Sequence, residues 1–169
     1  MNRRKPAPGS GRDPHIEMAW SDLLPAGWEP KAVLHALGID KVEALDDADP
    51  RMMALMRRWR LAWDQAPVNA SLAGQQISLA GFLAPLAQDA AGVHEGLLVP
   101  HHGSCIHAPP PPANQVVRLV LAKPASGFRT MDAVWARGVL RTRRASSSLG
   151  VAGYRLEATL LVHCAVGPR

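Results

Sequence analysis

The apolar positions of this chain change their period near residue 67. Before that point, "DADPRMMALMRRWRLAWDQAP" places Met52, Met56, Trp59 and Trp63 at i, i+4, i+7 and i+11. That spacing is one stripe of a 3.6-residue helical repeat. Asp49 suits the N-cap and Pro50 the first helical position, while Pro67 stops the helix. Arg57, Arg58 and Arg60 lie largely off the stripe, so the four apolar residues are expected to pack this helix on the rest of the protein. A shorter helix is predicted over Lys31 to Leu37, ended by Gly38. Ahead of it, "AWSDLLPAGWEP" has no regular period. Ser21 reads as the cap of a short turn broken by Pro25 and Gly27, and Trp20 and Trp28 as rings that pin this segment to the body.

After Pro67 the texture becomes that of strands. Alternating or β-branched runs predict five of them, roughly 75–86, 95–99, 115–122, 133–142 and 153–163. Gly138 marks a bulge or bend in the fourth. In the fifth, Tyr154, Leu156, Ala158 and Leu160 alternate with Arg155, Glu157 and Thr159. No helical pattern separates these strands, so the sheet is expected to be mostly antiparallel. The fold class predicted is mainly β with N-terminal helices, its body a small five-stranded, OB-like partly closed barrel. The divisions are a disordered tail over 1–15, an irregular and helical segment over 16–67 packed on the barrel, and the barrel over 68–169.

Composition narrows the partners. The chain has 169 residues, 47% of them hydrophobic, enough for a core. A net charge of +5 leans towards acidic partners. The barrel segments, however, hold few rings for stacking on bases: Phe82, Phe128, Trp135 and Tyr154, of which at least half are expected in the core. No specific nucleic-acid partner is therefore expected, and Arg141, Arg143 and Arg144 read as a solvated basic face. No apolar run approaches the roughly 18 residues that a transmembrane helix needs. "MNRRKPAPGSGRDPH" has a basic start without an apolar stretch behind it, so the start as written predicts a cytoplasmic protein.

The chemistry concentrates in "HHGSCIHAPPPPANQ", His101 to Gln115. Cys105 and His107 stand two apart, which in extended chain puts a thiolate and an imidazole on one side. Such a pair supplies two ligands of a zinc ion, with His101 the candidate for a third and His102 or His94 as alternatives; copper also accepts this set. The proline run after it is expected to form a polyproline II rod that holds the loop in place. Other uses of the thiol stay open: a buried structural group, a bridge to Cys164, or a nucleophile activated by a neighbouring imidazole. C-x-H alone is a weak signal, whereas four Cys/His within seven residues is a moderate one.

"LLVPHHGSCIHAPPPPANQVV" resembles the signature of an uncharacterised bacterial envelope family. "WSDLLPAGW", "GQQISLAGFLAPL" and "GYRLEAT" are similar to its other blocks, in the same order, so the resemblance runs from about Trp20 to Val162. The motif positions carried over are Gly103, Cys105, Ile106, His107, Pro109, Pro110, Asn114 and Gln115. His101 departs from the aromatic residue of that pattern, and His102 and Cys164 are peculiar to this chain. The family is similar to periplasmic or lipid-anchored proteins often encoded beside ABC-transporter components, some under zinc-responsive control. The resemblance thus implies a non-enzymatic accessory role in zinc handling, with ABC-transporter components as partners and the periplasm as location. A structural subunit without metal and a thiol enzyme using Cys105 are the alternatives.

Overall fold

The computed structural model of this protein describes residues 14–39, 49–104 and 111–165. The strands, in chain order, are β1 (Ile16–Met18), β2 (Gln76–Asp89), β3 (Gly92–Val99), β4 (Val117–Ala125), β5 (Ala133–Arg141), β6 (Ala145–Ser147), β7 (Gly150–Ala152) and β8 (Tyr154–His163). Two α-helices lie near the N-terminus, α1 (Pro30–Ala36) and α2 (Pro50–Asp64), with single 3-10 turns at Trp20–Leu23, Ala70–Leu72 and Ala113–Gln115.

Five strands close into a barrel. β2 pairs with β3, β3 with β4, β4 with β8, β8 with β5, and β5 returns to β2. The β4–β8 pairing is parallel and the other four are antiparallel. This is the OB-like arrangement, and the ring is closed rather than partly closed. Closure depends on the length of β2: residues 76–82 pair with β5, and residues 82–89 pair with β3. The register slips between Pro85 and Gln88, where a residue without an N–H is tolerated. Two further elements lie outside the five strands expected: β1 adds in parallel to the first half of β2, and β6 with β7 forms a hairpin in the β5–β8 connection.

The barrel interior is the main core. Leu79, Leu83, Leu98, Leu119, Leu140 and Leu156 are each fully buried there, with Tyr154 among them. In β8 the expected alternation holds for Tyr154, Leu156 and Ala158 but fails at Leu160, which is 40% exposed while Leu161 is buried. The cause is a bulge. Arg137 faces Leu160 and Gly138 faces Ala158, so Thr159 is an extra residue. One extra residue moves every later side chain to the opposite face. The bulge marked by Gly138 is therefore present, and its effect on inward-facing residues falls in β8.

Both helices form where their end signals stand. Asp49 accepts a hydrogen bond from the Arg51 N–H at 2.8 Å, and Pro50 opens α2. Gly38, at φ +73°, follows the last turn of α1 in the left-handed region that favours glycine. The packing of α2 differs from expectation. Trp63 is buried, Trp59 is half-buried, and Met56 is 45% exposed. Among the described residues the stripe is most deeply buried at its C-terminal end, where the Trp63 ring lies tilted against Trp59 and Trp28 at centroid distances of 5.6 and 6.3 Å, while Met52 is half-buried. Arg144 holds the same end by donating to the carbonyls of Asp64 and Ala66.

Candidate functional site

The connection from β3 to β4, residues 100–116, carries the predicted site. Cys105, His107, Pro109 and Pro110 lie outside the described residues, as does Ile106. His101 and His102 are exposed at the start of the connection. His102 sets its ring edge-on to Phe82 at 5.5 Å. Gly103 is buried at φ +80°, and its N–H donates to the Met131 sulfur at 3.1 Å. Met131 itself sits at φ +67°, a conformation uncommon for a side chain of its size. Its backbone is held there by a 2.6 Å bond from its N–H to the Leu83 carbonyl. Phe82 and Met131 belong to a second apolar cluster, around Ala84, Leu97, Val99, Val116 and Ala152, on the far side of β2 and β3 from the barrel interior. The first residues of the connection are thus fastened over an apolar patch.

Its last residues are fastened as well. Pro112, at φ −59° and ψ 151°, has polyproline II geometry and is buried. Asn114 is fully buried, and its Nδ2 donates to the Pro67 carbonyl at 3.0 Å. Gln115 donates from Nε2 to the Trp20 carbonyl at 2.9 Å. The Gly153 N–H donates to the Ala113 carbonyl at 2.7 Å, and a Cβ on Gly153 would stand 2.6 Å from that oxygen. The backbones can approach so closely only because position 153 has no side chain.

The other quoted blocks meet here too. Trp20 donates from Nε1 to the Ala80 carbonyl at 2.7 Å, its ring seated where a Cβ on Gly81 would collide with it. The Tyr154 hydroxyl donates to the Leu23 carbonyl at 2.5 Å and accepts from the Asn69 N–H at 2.6 Å. Asp22, rather than Ser21, caps the turn between them, accepting from the Ala19 N–H at 2.8 Å. Trp20 and Trp28 pin the N-terminal segment as expected. Gly103, Asn114 and Gln115 therefore act through backbone fit and hydrogen bonds. That role is invisible in sequence because each partner is 28 to 95 residues away.

The remaining candidate ligands are dispersed. His94 sits near the start of β3, paired with Asp89 at 2.7 Å. It precedes Val99 by five strand residues, roughly 16 Å at the usual rise, so it does not join His101. The Ala91 N–H, and next His94, hold the Asp89 carboxyl below its ordinary range. His163 stacks on Phe128 at 4.3 Å and lies 3.8 Å from Asp132. Cys164 is a free, half-buried thiol whose pKa is pushed up by burial, the opposite of an activated nucleophile. Among the described residues, no three His, Cys, Asp or Glu side chains gather as metal ligands. No helix among them is long and apolar enough to cross a membrane.

Two clefts lie near the β5–β8 connection. One of about 390 Å3 separates Arg60 and Asp64 of α2 from the β6–β7 turn at Ser147–Val151. The other, of about 290 Å3, is lined by Glu95, Arg118, Arg143, Arg144, Ala145 and Arg155. Sequence reasoning noticed Arg143 and Arg144 and set Arg155 on the face of β8 opposite Tyr154 and Leu156, but it missed Arg118 of β4 and did not bring these arginines together.

The model of a protein family of unknown function, DUF3299, matches residues 20–163. Among solved structures, the chain is similar to a DUF3299 family protein from Pseudomonas aeruginosa PAO1. The two share 33% identity over 90% of this chain and 97% of that one, with a TM-score of 0.68. No match was found among curated proteins. The matched span takes in both fastened ends of the 100–116 connection and the whole barrel, and this chain belongs to the DUF3299 family.

Proposed function

We propose that this protein is a non-enzymatic binding module whose β3–β4 connection holds a zinc ion through Cys105, His107 and His101. In this reading it serves as an accessory of a transport system in the bacterial envelope. One observation supports it: the connection is anchored before and after the Cys105–His107 pair in the chain, at Gly103–Ser104 and at Pro112–Gln115, while His101 is exposed at its start. A metal loop works best when its frame is held by bonds other than those to the metal. The transport partners and the envelope location rest on the sequence resemblance. Elemental analysis of the reduced, tag-free full chain tests the metal. About one zinc per chain is expected, falling strongly in Cys105→Ser and His107→Ala and partly in His101→Ala. Uptake should also weaken as pH drops through the histidine range, because the ligand nitrogens must be deprotonated.

A second reading has its own support. Asn114 and Gln115 bond to the backbone at Pro67 and Trp20, so part of the motif serves packing. On that reading the whole connection is a structural strap, and the protein is an interaction subunit without metal. Absence of bound zinc or copper at micromolar metal, with unchanged folding of Cys105→Ser, would decide for it.

A further inference from the structure

We infer that the outer face of β4 and β8, together with the β5–β8 connection, is a binding site for a phosphate monoester dianion. Three arginines stand in one row across adjacent strands: Arg118 on β4 faces Arg155 on β8, which faces Arg141 on β5. Like charges directly opposite one another destabilise a sheet unless something compensates them. The two outer arginines are compensated. Arg118 Nε lies 2.6 Å from Glu95 Oε1, and Arg141 Nη2 lies 3.1 Å from Glu157 Oε2. The central one feels the Glu95 charge at a distance but makes no close ion pair of its own among the described residues. Arg155 Nε is buried and has no hydrogen-bond partner among the described residues. A buried N–H left unpaired is costly, and more so in a charged group, although Arg155 as a whole is half-buried.

The surroundings say what would pair with it. Arg155 lines the cleft of about 290 Å3 with Arg118, Arg143, Arg144 and the single carboxylate of Glu95. Glu95 is taken by Arg118, and the Arg144 contacts to the Asp64 and Ala66 carbonyls position its guanidinium without neutralising it. Three positive charges therefore face the cleft unbalanced. A single carboxylate would leave most of that charge unmet. A phosphate monoester carries nearly two charges and three acceptor oxygens, which match the planar forks of arginine. The cleft is small by the standard of ligand pockets, so it suits a compact head group. No aromatic ring lines it, and without a stacking platform it does not suit single-stranded nucleic acid. This inference is independent of the zinc reading.

The test uses the full chain, reduced and dialysed against chelator, at fixed ionic strength near physiological. Glycerol 3-phosphate and inorganic phosphate are titrated calorimetrically, with chloride as the control. Saturable binding of both is expected, weakened on the order of tenfold or more in Arg155→Gln, by loss of charge-assisted bonds. Arg57→Gln, on the exposed side of α2, should bind as the parent does. If Arg155→Gln fails to fold by thermal melting, Arg143→Gln, on an exposed connection, takes its place with the same expectation. Phosphatidylcholine vesicles with and without phosphatidic acid separate the two sources of the ester. Sedimentation with phosphatidic acid that is lost in the variant supports a lipid-borne ester, and its absence alongside glycerol 3-phosphate binding supports a soluble one. The proposal is overturned by no saturable binding up to about 10 mM, by equal weakening in Arg57→Gln, or by tight binding of an oligonucleotide with no response to glycerol 3-phosphate.

Discussion

Tyr154 shows how a single side chain joins distant parts of this chain. Its hydroxyl is shared between the Leu23 carbonyl and the Asn69 N–H, and the ring is fully buried in the barrel. Tyr154→Phe keeps the ring and strands both backbone groups. Denaturant unfolding should show a loss of about 1–3 kcal/mol, the usual cost of a buried group left unpaired; a neutral result would mean that water reaches both. The Arg118–Glu95 pair governs a pH effect. The hydrogen bond from Arg118, and then the charges of Arg118 and Arg155, hold the Glu95 carboxyl below its ordinary range. A carboxyl lowered by folding contributes stability above its unfolded pKa, and that contribution is lost as pH falls through the folded value. Arg118→Gln should therefore lose stability at pH 7, by about 1 kcal/mol or less for a partly exposed pair. It should also show a shallower decline below about pH 4 in unfolding curves taken across pH 3–7.

At the level of elements, α2 and β8 depart from their patterns for opposite reasons. β8 is surrounded by partners, so one inserted residue at Thr159 decides which side chains enter the core. α2 has fewer partners among the described residues, so of its apolar stripe Trp63 is buried, Met52 and Trp59 are half-buried and Met56 is exposed, as are Met53 and Leu61 beside it. The stability cost of truncation should follow this gradient. Trp63→Ala is expected to cost about 3–5 kcal/mol, Trp59→Ala less, and Met56→Ala under about 1 kcal/mol. Equal costs along the stripe, read from denaturant midpoints, would mean that the whole helix face is covered in solution.

On the scale of the whole molecule, the N-terminal segment completes the barrel. Met18 and Leu23 are buried, β1 extends the sheet beside β2, and the segment receives bonds from Tyr154 and Gln115. A chain starting at Pro14 is expected to melt at the same temperature as the full chain. A chain starting at Pro25 should lose several kcal/mol or fail to fold, because it exposes the barrel end that Leu23 closes. Thermal denaturation of the two truncations separates these outcomes. Loss of stability in the longer truncation product would instead show that residues 1–13 contribute contacts.

Local chemistry determined much of this protein on its own. The cap at Asp49 and the stop at Gly38 act within a few residues, so the helix boundaries were legible. Four of the barrel strands and most of the fifth were legible for the same reason, since alternation records which face of a strand meets apolar neighbours. The motif at 101–115 was visible as a concentration of unusual residues, of which the Cys105–His107 pair lies outside the described residues. What tertiary structure alone decided depends on partners far along the chain. It decided that Asn114 and Gln115 clamp Pro67 and Trp20, and that Trp63 is the residue of α2 most deeply buried. It also brought Arg118 and Arg155 side by side with too few carboxylates. The parallel pairing of β4 with β8 creates that last arrangement, joining two segments separated by a whole hairpin and strand. No periodicity in either segment encodes its neighbour, because register between strands is set by the closure of the barrel as a whole.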